Sequence, residues 1–252
     1  MPPTPTPPAR HPASVLLLLA VPVMLIAAIG SAGGAPPRVL AWDEAVAARK
    51  LALVSGESSV EIAGMHPLKR TGSLRVKGDG PLAIRALDKP PGPDGKPIER
   101  ACFIPVEIGL PLIILLPDEK HPTGVSPQCV DDNPAGFRWG SYRFINTTTR
   151  ELLIRMENKI VRLPQGWKHV DVDLGGENRG IGAMVALAEA TDRPLYSAVW
   201  EYNKDARTLC FLVPGADPRL SPVAFKAIPE DRLSLQLEEQ AEPPASGGTQ
   251  KP

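Results

Sequence analysis

At 252 residues the chain is long enough to bury a proper core, as one large domain or two small ones. Lys plus Arg and Asp plus Glu each number 28, so no net charge steers it toward nucleic acid or acidic polymers. The 30 Pro and 22 Gly punctuate the middle and crowd the ends, a composition of many short strands and turns with unstructured tails.

Residues 1–12 are Pro-rich and bury nothing. Residues 15–30 form an uninterrupted apolar run, and Ser31, Ala32, Gly33, Gly34 and Ala35 follow it, small residues of the kind a signal peptidase accepts. The run falls short of the roughly 20 residues a spanning helix prefers, and Pro22 disturbs a helix there. Residues 1–35 therefore read as a signal peptide, either cleaved or kept as an anchor through residues 15–32. In both cases residues 36 onward are expected outside the cytoplasm, in the periplasm or at the cell surface. Membrane contact is then confined to the N-terminal segment.

Residues 41–50, Ala-rich with early acids, suggest a helical turn or two. The period then changes. Residues 51–56, 59–64, 73–77 and 81–87 predict short strands bounded by Gly, with Gly78-Asp79-Gly80 reversing the chain. Residues 89–97 are a loop rich in Pro and Gly. Residues 98–106 read as a strand, and residues 109–117, apolar on both alternating sets, as one buried on both faces. Residues 118–134 read as a long connector that ends in the Asx-rich turn Asp131-Asp132-Asn133.

The second half opens at Trp139. Strands are expected at 141–145, 151–156, 159–163, 169–174 and 183–190, the last despite its Ala content. Residues 195–202 and 207–213, joined by Asn203-Lys204-Asp205, predict a hairpin, and 223–228 a final strand. Residues 231–240 suggest a short fraying helix at the start of a tail, 232–252, that is otherwise disordered. The fold class is thus all-β: antiparallel sandwiches in two Ig-like lobes, 36–130 and 131–231. A weak internal echo accompanies this division. Residues 72–76, 82–85 and 102–105 resemble residues 140–144, 152–155 and 210–214, as a duplicated sandwich or chance alternation would produce.

Little in the chain points to catalysis. His66, His121 and His169 lack metal spacing, and neither a nucleophile elbow nor a phosphate-cradling loop is present. No cofactor and no metal are expected. Asp131-Asp132-Asn133 lacks the rest of a calcium loop, and Asp171 and Asp173 suit a solvated strand face. Cys102 and Cys210 sit in apolar runs, as two buried small hydrophobes or as a disulfide pair; Cys129 lies in the connector. Asn146-Thr147-Thr148 matches a glycosylation acceptor. Trp139, Trp167 and Tyr142 are the candidate ligand-binding residues, as a stacking platform, against the alternative that they are packing residues.

Three stretches carry a resemblance: residues 136–146, Tyr196-Ser197-Ala198-Val199-Trp200 and Ala227-Ile228-Pro229-Glu230-Asp231. They are similar to an uncharacterised group of exported bacterial β-rich, sandwich-like proteins with no assigned activity, across about residues 70–231. The resemblance implies a bacterial envelope protein and brings no catalytic residues. The expected function is a non-enzymatic binding or scaffold component with an envelope protein as partner. The alternatives are a glycan- or small-ligand-binding module, and an envelope hydrolase with a cleft joining Asp132, His121 or His169 to a Ser.

Overall fold

The computed structural model describes residues 35–78, 80–217, 219 and 221–241. The expected signal or anchor segment, apart from Ala35, and the tail beyond residue 241 lie outside the described residues. Period-two alternation governs the rest. The first lobe runs β1 (Arg38–Ala41), α1 (Glu44–Ala47), β2 (Leu51–Ser55), β3 (Ser58–Glu61), β4 (Leu82–Ala86), β5 (Glu99–Ala101), β6 (Pro111–Pro117) and β7 (Val125–Asp131). The second runs β8 (Ser141–Asn146), β9 (Leu152–Met156), β10 (Lys159–Leu163), β11 (His169–Asp173), β12 (Arg179–Leu187), β13 (Ala190–Tyr202), β14 (Ala206–Asp217) and β15 (Ser221–Asp231), then α2 (Arg232–Ala241).

Each lobe faces two sheets across a core. In the first, β3-β2-β4-β5 covers β1-β6-β7, enclosing Val39, Leu51, Leu53, Ile84, Ile113 and Val125. In the second, β10-β9-β12-β13 covers β11-β8-β14-β15, enclosing Phe144, Ile154, Met156, Val185, Cys210 and Leu212. A third cluster joins the lobes. Leu40, Leu112, Ile114 and Val130 from the first pack with Ile145, Leu209, Phe211 and Ile228 from the second. The layers therefore read outer sheet, seam sheet, seam sheet, outer sheet, and the all-β sandwich expectation holds.

The two lobes share one topology. β2–β3 and β9–β10 are antiparallel hairpins, β4 and β12 pair on the far side of β2 and β9, and β5 and β13 close the outer sheets. β1 runs parallel to β6, and β8 parallel to β14; β7 and β15 then pair antiparallel. Among the described strands only β11, added beside β8, has no counterpart. The registers make Arg38 equivalent to Arg143, Leu112 to Leu209 and Val130 to Ile228. Even the first hairpin turn repeats: Gly56 and Glu157 both adopt positive φ, 57° and 51°. The duplication is thus in the strand order, and the short sequence echo falls out of phase with it. Residues 82–85 lie in β4, whereas residues 152–155 lie in β9, the second-lobe counterpart of β2.

Several strand expectations need correction. Residues 73–77 form no strand; the segment follows the edge of β1, with Thr71 N and Leu74 N donating to Val39 O and Pro37 O at 2.9 and 2.8 Å. Those donors are three residues apart and their acceptors two, so no regular ladder forms, although Leu74 and Val76 still pack on the core. Glycine is required where the chain then passes β2, because a Cβ on Gly78 would lie 2.7 Å from Ser55 O. The connector at 118–134 contains β7, whose Ser126, Pro127 and Gln128 disguise it. An edge strand tolerates Pro127 because one side of its backbone is unpaired.

The expected hairpin between residues 195–202 and 207–213 is also absent. β13 and β14 belong to opposite sheets, and the real hairpins are β12–β13 and β14–β15. Both strands send apolar side chains into one core, so they cover each other across it. The helix at the N-terminus is shorter than expected: only residues 44–47 are helical, capped by Asp43, whose Oδ1 accepts from Val46 N at 2.8 Å. At the other end, the short helix expected at residues 231–240 is present as residues 232–241.

Candidate functional site

Strand alternation sends Arg38, Leu40 and Trp42 from the first lobe to the seam, and Arg207, Leu209 and Phe211 from the second. The cationic ends coincide. Arg38 Nη1 donates to Glu230 Oε1 at 2.8 Å, and its Nη2 donates to Asp132. Arg70, from the β3–β4 connection, holds both Asp132 oxygens, at 2.9 and 3.1 Å. Arg207 Nε donates to Glu230 Oε2 at 2.7 Å, while its Nη1 donates to the carbonyls of Asp132 and Phe137 at 2.9 and 3.2 Å.

Three guanidiniums thus enclose two carboxylates, and Asp132 and Arg207 are each only 1% exposed. Beside them Arg143 forms a bidentate pair with Asp171, at 2.7 and 2.6 Å, and donates to Asp131 O. Phe137 lies between Arg143 and Arg207, whose guanidinium carbons sit 4.7 and 5.0 Å from its ring centre. Burial pushes the Asp132 carboxyl up, but Arg70, Arg207 and Arg38 outweigh it and hold the group below the usual carboxylate range. An aspartate so pinned is a poor proton acceptor, and with 1% exposure it meets no substrate. The node fastens the lobes.

The opposite end of the seam is aromatic. Trp42 and Trp167 meet Phe211 edge-on, with ring centres 5.2 and 5.9 Å away. Trp167 is therefore half-buried at this end, whereas Trp139 lies at the ionic end between Arg207 and Arg232, 5.1 and 5.5 Å from its ring centre. Tyr142 belongs to the second lobe's core, its hydroxyl donating to Glu201 O at 3.0 Å. The three residues expected to form a platform thus stand in three separate environments.

The other sequence candidates are also placed apart. His121 Nδ1 lies 2.8 Å from Thr123 Oγ1, in the β6–β7 turn, and His66 accepts from Leu68 N at 3.0 Å. His169 shares the seam-side face of β11 with Asp171 and Asp173, and burial and Arg143 push its pKa down. Asp132, within the node, joins neither His121 nor His169 to a serine. Among the described residues no three His, Cys, Asp or Glu are grouped as a metal site. Asn146 is 1% exposed, and its Nδ2 donates to Arg150 O and Leu163 O at 2.7 and 3.0 Å, which removes it from reach of glycosylation.

The thiols correct the disulfide expectation: Cys102 lies in the first lobe's core and Cys210 in the second's, so they cannot pair. Burial raises all three thiols, Cys102 and Cys129 to about 12. Two open hollows mark the surface. One, about 330 Å³, runs past Arg100, Phe103, Pro127 and Cys129; the other, about 310 Å³, past Arg138, Ser141, Asp171 and Asp173.

Arg38, Arg70, Arg143, Arg207 and Glu230 escaped attention in the sequence. The available signal was an arginine in phase with the apolar residues of its own strand, as in Arg207-Thr208-Leu209-Cys210-Phe211. No protein-family model matches the chain, and no curated protein matches it either.

Proposed function

We propose that this chain is an exported, non-enzymatic β-sandwich protein that binds or scaffolds another protein of a bacterial envelope. The observation that supports it most is the division between a tightly engaged interior and an apolar rim. The charged groups best suited to chemistry are bound to one another in the seam, while Phe103 and Val106, 77% and 87% exposed, stand next to the hollow by β7. On the outer face of β10-β9-β12-β13, Ile160 and Val199 are 63% and 77% exposed. A rigid two-lobe frame with such residues at its rim suits protein contact. The apolar run at residues 15–30 supports export to the periplasm or cell surface.

Two measurements test the proposal. Residues 1–45 fused to alkaline phosphatase should give active enzyme outside the cytoplasm; an inactive, cytoplasmic fusion overturns export. The tagged full chain should retain a stoichiometric protein when captured from native envelope extract, and Phe103→Ser with Val106→Ser should release it. Retention unaffected by both substitutions would remove that rim from the proposal, and repeated capture without any partner would overturn the scaffold role.

A further inference from the structure

Two of the three thiols lie on the open side of the first lobe. Cys129 lies in β7, and the alternation that sends Val130 to the seam turns Cys129 toward the first core with Val125. Cys102 follows directly on β5, in that same core, its N–H bonded to Leu82 O at 2.8 Å. β5 and β7 close the same side of the sandwich, approaching within 8 Å between Cα atoms. Arg100 ties them further by donating to Val125 O at 3.0 Å. Ala101 and Phe103, the neighbours of Cys102, line the same hollow as Cys129. The thiols are also near enough for Cys102 to help raise the Cys129 pKa, after burial.

We propose that Cys102 and Cys129 form a disulfide that staples β5 to β7, leaving Cys210 as the unpaired thiol. The oxidant is a disulfide donor such as oxidised glutathione or a protein disulfide. Cys129, at the hollow, gives up its proton and attacks one donor sulfur, expelling a thiolate and forming a mixed disulfide. Cys102 then loses its proton, attacks the Cys129 sulfur and expels the second donor thiolate. The chain loses two hydrogens, and the donor leaves as two thiols. In the cell this rests on the export proposed above, because the cytoplasm keeps such pairs reduced; in purified protein it does not.

The full chain is refolded from denaturant in a glutathione redox buffer, alkylated, and mapped by peptide mass spectrometry without reduction. A linked pair of peptides containing Cys102 and Cys129, with Cys210 alkylated, is the expected result. Cys210→Ser should leave the link intact, whereas Cys102→Ser or Cys129→Ser should abolish it. Three alkylated thiols, only glutathione adducts, or a link that includes Cys210 would each overturn the proposal. The map on the unmodified chain decides even where a variant fails to fold. Loss of the link in native cells, with the link formed in vitro, would point instead to failure of export.

Discussion

Arg38 and Arg143 occupy the same position in the two lobes, and they do different things. Arg38 crosses the seam to reach Glu230 as well as Asp132. Arg143 reaches across it to a carbonyl, that of Asp131, but pairs its charge with Asp171 on β11, the strand that the first lobe lacks. Asp132 and Glu230, each two residues beyond the equivalent Val130 and Ile228, are equivalent as well. The added strand supplies Arg143 with its own carboxylate, and the shared node draws Arg70 and Arg207 in addition. One inserted strand thus turns a repeat of equal halves into an interface with a definite polarity.

The largest effect should come from breaking the node itself. Asp132→Ala leaves three buried guanidiniums around one carboxylate, and the expected loss is about 3–5 kcal/mol in urea denaturation. Asp171→Ala, on the 30%-exposed partner of Arg143, should cost less, about 1–3 kcal/mol. Equal losses would mean that both arginines are held alike, and the comparison between lobes would fail. The pH dependence sharpens it. Asp132 has a depressed pKa in the folded state, so its contribution is complete above the unfolded value of about 4 and fades as pH falls through the folded one. The unfolding free energies of wild type and Asp132→Asn should therefore converge on acidification below about pH 4.

Smaller effects separate the lobes at matched positions. Gly56 has φ +57° and open space where a Cβ would stand, so Gly56→Ala should cost about 1–2 kcal/mol from the backbone alone. The equivalent Glu157 already accepts that conformation and bonds Arg179, at 2.8 and 2.9 Å, so Glu157→Gly should change the unfolding midpoint less. Cys129 and Ala227 are likewise equivalent. With the thiols reduced, alkylation of Cys129 should quicken about tenfold per pH unit between pH 7 and 10, as expected for a thiol raised to about 12. Cys210, fully buried, should stay unmodified in the native protein.

Much of this architecture was legible from alternation. The double-sided apolar run at 109–117 predicted a strand buried on both faces, and β6, at Pro111–Pro117, is that strand. The partners were harder to read. β13 and β14 look like a hairpin because alternation gives the face of a strand and says nothing of the sheet it joins. β7 was hidden by Pro127 and polar neighbours, because an edge strand beside an open hollow needs no apolar pattern. The node lay beyond local inspection: its acids and arginines are as much as 192 residues apart, as in Arg38 and Glu230. A charged residue at period two looks solvated until a second lobe is placed over it.

The seam makes the covalent connection between the lobes less important than it looks. Nine apolar residues and a web of ion pairs bind the halves face to face, as two subunits of a homodimer would be bound. A protease cut at the exposed Pro134–Ala135 bond should therefore yield a nicked molecule that still migrates as one particle. The two pieces should come apart only under conditions that also dissolve the seam.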